Sequence, residues 1–112
     1  MKDYYKIFVE LCSHLCYADD YGSKKKVRVH NRAMDKIVKL ENELDTPEGA
    51  EILLKLLFHE NDHVILSSAM LCLKLKLHEN EVKERVKYVH QNSKDHTIRF
   101  DAKMMLQINN LN

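Results

Sequence analysis

Apolar residues recur along the chain at intervals of three and four, broken by short polar clusters rich in Asp, Asn, Ser and Thr. Tyr5, Phe8, Val9, Cys12, Leu15 and Cys16 share one face at helical spacing, which predicts a first helix over residues 3–18. Asp19, Asp20, Tyr21 and Gly22 break it. Ser23 then caps a second helix running to about Leu44, carried by Val29, Ala33, Ile37, Leu40 and Leu44. Thr46-Pro47-Glu48 is a clean restart: a good N-cap, a proline suited to the first helical position, and a carboxylate that favours the dipole. The third helix holds Ile52, Leu53, Leu56 and Leu57 and ends near His59. The fourth begins around Asp62 and buries Ile65, Ala69, Cys72, Leu73 and Leu77. Asn80 is expected to cap the fifth, with Val82, Val86 and Val89 inward. Asp95 caps the sixth, with Ile98, Ala102, Met105, Leu106 and Ile108 inward. No stretch has the alternation of a strand.

The pattern also repeats. Residues 62–69, DHVILSSA, match residues 95–102, DHTIRFDA, at a shift of 33. Leu73 then falls on Leu106 and Leu75 on Ile108, while upstream Leu53 falls on Val86 and Leu56 on Val89. A weaker copy lies 36 residues further back, where Val29, Ala33, Met34 and Ile37 sit under Ile65, Ala69, Met70 and Leu73. Periods of this size mark helical hairpins that cannot bury their apolar faces alone and must stack. The expected fold is all-α: about six helices as three stacked antiparallel hairpins, near residues 3–45, 47–77 and 80–109. Together they form a short HEAT-like α-solenoid in one domain, residues 1–112.

Composition supports this. With Gly 2 and Pro 1 in 112 residues, connections have to be short and helices long. Apolar residues at 45% and charged residues at 31% are globular proportions. The formal net charge of +1 announces neither a nucleic acid nor a membrane surface. Three cysteines, an odd number without framework spacing, fit a reducing compartment. Asp3, Lys6 and Glu10 interrupt the first apolar segment, unlike a signal peptide, and no segment is apolar enough to span a bilayer. A cytoplasmic location without membrane attachment is expected.

Residues 59–63 read HENDH, a match to the H-E-x-x-H pattern in which two histidines on one helix bind zinc. Here the string straddles a helix junction. Asn61 and Asp62 favour non-helical backbone through their short side chains, and His78-Glu79-Asn80 recurs at the next junction. The match reads as an accident of turn chemistry. Cys12 and Cys16 share an apolar face with His14 roughly opposite, so they read as small buried residues, as does Cys72. No nucleophile–base pairing or glycine-rich phosphate loop appears. The chain is therefore expected to be no enzyme, with no cofactor and no metal. One charge feature stands out. Lys24, Lys25, Lys26, Arg28 and Arg32 crowd the start of the second helix, where the dipole disfavours cations, so that this end attracts anions.

Leu53 to Leu57, His59 and Asp62, Ile65 to Leu73, Val82 to Val89, and Phe100-Asp101-Ala102 form a recognisable series. Over about the last 60 residues it resembles a family of small bacterial HEAT-like proteins of unknown function, often encoded beside polymorphic or contact-dependent toxins. The Val-Arg step usual after the turn is Ile65-Leu66 in the first copy and Ile98-Arg99 in the second. The resemblance implies a non-enzymatic protein-binding module, an immunity protein or antitoxin that binds and blocks a cognate toxin domain. It carries over no catalytic residues. Leu66, Met70, Lys74, Arg99 and Lys103 line up at the repeat shift and are expected to form one exposed partner-binding strip. The alternative is a nucleic-acid- or phosphate-binding module using Lys24, Lys25, Lys26, Arg28 and Arg32.

Overall fold

The computed structural model describes residues 2–111. Among them lie six α-helices and no strand: α1 (Tyr4–Cys12), α2 (Lys24–Glu43), α3 (Pro47–Leu57), α4 (Asp62–Leu75), α5 (Glu79–Asn92) and α6 (His96–Ile108), with a single 3-10 turn at Ala18–Asp20. Side-chain caps place most of the starts. Ser23 Oγ accepts from the Lys26 N–H at 3.2 Å and Thr46 Oγ1 from the Gly49 N–H at 2.9 Å. Asn61 Oδ1 accepts from His63 and Val64, and Asp95 Oδ1 accepts from Thr97 and Ile98. Each bond satisfies a backbone donor that the first helical turn leaves free.

The helices pair as α1/α2, α3/α4 and α5/α6, and the pairs stack in two layers. One layer runs α1–α3–α5 and the other α2–α4–α6, each helix touching the next in its layer. This is the stacked-hairpin arrangement expected from the repeat. Its centre is α4, which contacts all five other helices and has every residue from His63 to Ala69 buried. Ala69 and Ala102, the small residues that recur at the 33-residue shift, are both fully enclosed where helices approach closely.

Several expectations need correction. The first helix stops at Cys12 rather than reaching residue 18: the Ser13 hydroxyl bonds the Glu10 carbonyl, and His14 and Leu15 bond three residues back. Leu15 and Cys16 remain buried, held by tertiary contacts instead of helical ones. The third helix ends two residues early, at Leu57. The fifth begins at Glu79, and no side chain caps it. His78 takes a left-handed conformation (φ 52°) and its ring bonds the Ala50 carbonyl at 2.8 Å. Val29 and Ile108, expected inward, are 37% and 71% exposed, Val29 in a shallow depression between α1 and α2 and Ile108 at the last residue of α6.

The junction between the first two hairpins is tightly packed. A Cβ on Gly49 would stand 2.0 Å from the Leu44 carbonyl oxygen, so the first turn of α3 passes against the end of α2 with no room for a methyl group. Gly49→Ala is expected to lower stability by about 3 kcal/mol, since backbone rather than a side chain would have to move. A urea unfolding curve measures it, and an unchanged midpoint would refute the close packing.

Candidate binding face

The layer α2–α4–α6 carries a groove of about 190 Å³, with walls formed by Met34, Leu66, Met70 and Met105. His30, His63, Ser67 and Asp101 add polar groups, and Leu15 and Tyr21 border it from the α1–α2 connection. Of the strip expected from the repeat, Met70 is half-buried in this groove and Lys74 and Lys103 are exposed. Leu66 is not exposed as expected. It retains 8% of its accessible surface because α4 is covered all round from His63 to Ala69. Arg99 is half-buried, and its Nη1 donates to the Ser93 carbonyl at 2.7 Å. The strip therefore contributes Met70, Lys74 and Lys103. His30 and Met34 belong beside them, and the 36-residue shift that places Met34 under Met70 also puts His30 under Leu66.

The α1–α2 connection is tied down from both sides. The Cys16 N–H donates to His30 Nδ1 at 2.8 Å, and the Ala18 N–H donates to Asp95 Oδ2 at 2.8 Å. Tyr17 packs against His63 at 4.5 Å with the rings tilted by 55°, and Tyr21 meets His30 edge-on at 5.9 Å. Burial pushes the Asp95 carboxyl up, but the Ala18, Ile98 and Thr97 N–H groups outweigh it and hold the group below the ordinary value. Burial lowers the pKa of His30, against the opposing pull of Asp101. It lowers that of His63 too, helped by nearby His30 and opposed by the Cys16 backbone, Asp62 and Asp95. The Asp101 carboxyl is held above its usual range by partial burial, which His30 counteracts. His63 Nε2 is enclosed without a hydrogen bond of good geometry.

The HENDH residues fall on separate elements, as the cap residues require. His59 follows the end of α3, its Nδ1 accepting from the Asn61 N–H at 3.0 Å, while His63 lies inside α4. No group of three His, Cys, Asp or Glu side chains among the described residues is placed to hold a metal. Cys12 and Cys72 are buried thiols pushed up to about 12 by desolvation, and burial raises Cys16 as well, which suits packing rather than nucleophilic chemistry.

Lys24, Lys25, Lys26, Arg28 and Arg32 all lie exposed on α2. Lys26 is taken by Asp20 at 3.0 Å, and none of the other four has an ion pair among the described residues. Lys36 and Lys39, which the sequence reading missed, extend the same side. At 100° per residue, Lys25, Arg28, Arg32, Lys36 and Lys39 fall within an arc of about 80° and span about 21 Å. Residues 24–39 hold seven cations against Asp35 alone, a net of +6, while the whole chain is +1, leaving −5 for the remainder. The near-neutral total hides a polarised surface. A third feature had no local sequence cue. Arg85 on α5 donates to the Leu57 and His59 carbonyls at 2.8 and 3.4 Å, beneath the exposed rings of Phe58 and Tyr88.

No family model, curated protein or solved structure matches this chain.

Asp95→Asn keeps an Oδ1 cap but cannot accept from Ala18. It is expected to cost about 1 kcal/mol and to speed amide exchange over residues 13–22, whereas Asp95→Ala also loses the cap and costs up to about 3. Exchange rates unchanged in both variants would refute the clamp. The buried histidines set a pH dependence. Both fold with pKa values below their ordinary 6.5, so the unfolded chain takes up protons first as pH falls. Stability is therefore level above about pH 6.5 and declines below it as the unfolded histidines take up protons that the folded ones resist. His30→Gln, which can still accept from Cys16, should flatten that decline in denaturation curves taken across the window.

Proposed function

We infer that this chain is a non-enzymatic protein-binding module, and that it works as an immunity protein or antitoxin by covering a cognate toxin domain. The observation that carries the binding part is the groove on the α2–α4–α6 layer. Met34, Met70 and Met105, one from each helix of the layer, stand around it. Thioether side chains adapt to irregular apolar partners, and surfaces rich in them are used for protein binding. A rigid stack of hairpins presents such a face with little ordering on docking. The toxin part rests on the resemblance of the last 60 residues to HEAT-like proteins encoded beside toxins.

A second reading uses the cations of α2 to bind nucleic acid or phosphate, and the exposed, unpaired Lys25, Arg28 and Arg32 favour it. The two surfaces lie on opposite flanks of α2, so variants separate them.

The tagged protein is used to capture partners from lysate of its own host at moderate and high salt, with identification by mass spectrometry. The expected outcome is a stoichiometric protein that survives high salt, arrests growth when expressed alone, and is neutralised by co-expression of this chain. Met70→Glu should weaken the pair at least about tenfold, as burying an unpaired charge requires. Recovery of nucleic acid alone, lost at high salt, would overturn the reading.

A further inference from the structure

The cations of α2 do not stand on a bare helix. Between α1 and α2 lie two shallow depressions that share His14 and Val29. One, of about 190 Å³, is floored by Leu11, Val29 and Ala33 and edged by Arg32 and Lys36. The other, of about 430 Å³, continues past Leu15 toward Lys25 and Lys26. Val29 is an apolar side chain left 37% exposed in the middle of this surface. Apolar floor and charged rim are the anatomy of a protein interface. A phosphate backbone would use the cations and gain nothing from Val29 or Leu11.

We propose that the α1–α2 edge, with Lys25, Arg32 and Lys36 around Val29, docks an acidic amphipathic segment of a protein partner. Carboxylates one helical turn apart on that segment meet the cations, which repeat along α2 at intervals of three and four residues, and an apolar side chain between them enters the depression at Val29. The remaining −5 of charge lies elsewhere on the chain, so the attraction is confined to this edge and also orients the approach. The proposal rests on the protein-binding reading and specifies the chemistry of the partner's surface.

The full chain, labelled with nitrogen-15, is titrated with two probes: a synthetic helical peptide with glutamates four residues apart beside a leucine edge, and an oligothymidylate of about 20 nucleotides as the phosphate-backbone control. The peptide is expected to shift the amides of His14, Val29, Arg32 and Lys36. Arg32→Glu with Lys36→Glu should reduce its affinity at least about tenfold. Val29→Ser, a charge-neutral change at a partly exposed position with helical circular dichroism as the folding control, should reduce peptide binding without altering oligonucleotide binding. Tighter binding of the oligonucleotide with a steep salt dependence, unaffected by Val29→Ser, would overturn the proposal, as would no shift with either probe. A captured partner indifferent to the Arg32→Glu/Lys36→Glu pair would also sink it, while leaving the protein-binding reading in place.

Discussion

The enclosure of α4 is the constraint on which the rest of the molecule depends. A helix buried on every side needs neighbours all round, and α4 finds them in all five other helices. Val64, Ile65, Ala69, Leu71 and Cys72 retain at most 1% of their accessible surface. Burying side chains of this kind stabilises the fold by about 1.5–3 kcal/mol for each large one. Since α4 is shared, no hairpin holds its own core. α3 closes one side of it, α5 another, and α1 with α2 cover what remains. Cooperative folding follows from that geometry, because removing any hairpin exposes part of the same helix.

Central burial also fixes where function can reside. With α4 covered, the α2–α4–α6 layer offers only the seams beside it, and the methionine groove is such a seam. Its polar groups come from the helices themselves, His30 on α2, His63 and Ser67 on α4 and Asp101 on α6. The α1–α2 connection borders it while passing from the end of α1 to the start of α6. The two ties from Cys16 and Ala18 hold that connection in place. One carboxylate, Asp95, caps α6 with one oxygen and anchors the connection with the other. A local helix start is thereby coupled to a contact 77 residues away in sequence.

Much of this was legible because local chemistry and tertiary structure agree. Ser23, Thr46 and Asp95 cap the helices they were expected to cap, and Pro47 opens the third. The 33-residue repeat correctly indicated stacked hairpins. What escaped is tertiary in origin. The path of the chain after α1 is held by the bond from the Cys16 N–H to His30, which no local pattern records. Leu66 looked solvent-facing because a period of 3.6 assigns every helix an outer side, and α4 has none from His63 to Ala69. Arg85 satisfies carbonyls at the end of another helix, a role that depends on how α3 and α5 pack. By contrast, His30, Met34 and the extension of the basic side to Lys36 and Lys39 were available from the repeat shift and a helical wheel.

The charge distribution follows from the same geometry. A helix with no free face can carry no solvated charge along its buried length, and α4 has none from His63 to Leu73 apart from a histidine held toward its neutral form by burial. Charges must collect on the outer helices. α2 borders α1 and α4 but has no hairpin beyond it, so its outer side is left to solvent. A mixed-sign surface would satisfy solubility there equally well. Five cations within one arc, unpaired and beside an exposed valine, are more than solubility requires. They cost something in mutual repulsion and, near Ser23, in unfavourable interaction with the helix dipole. An acidic, partly apolar partner segment would relieve that repulsion on docking.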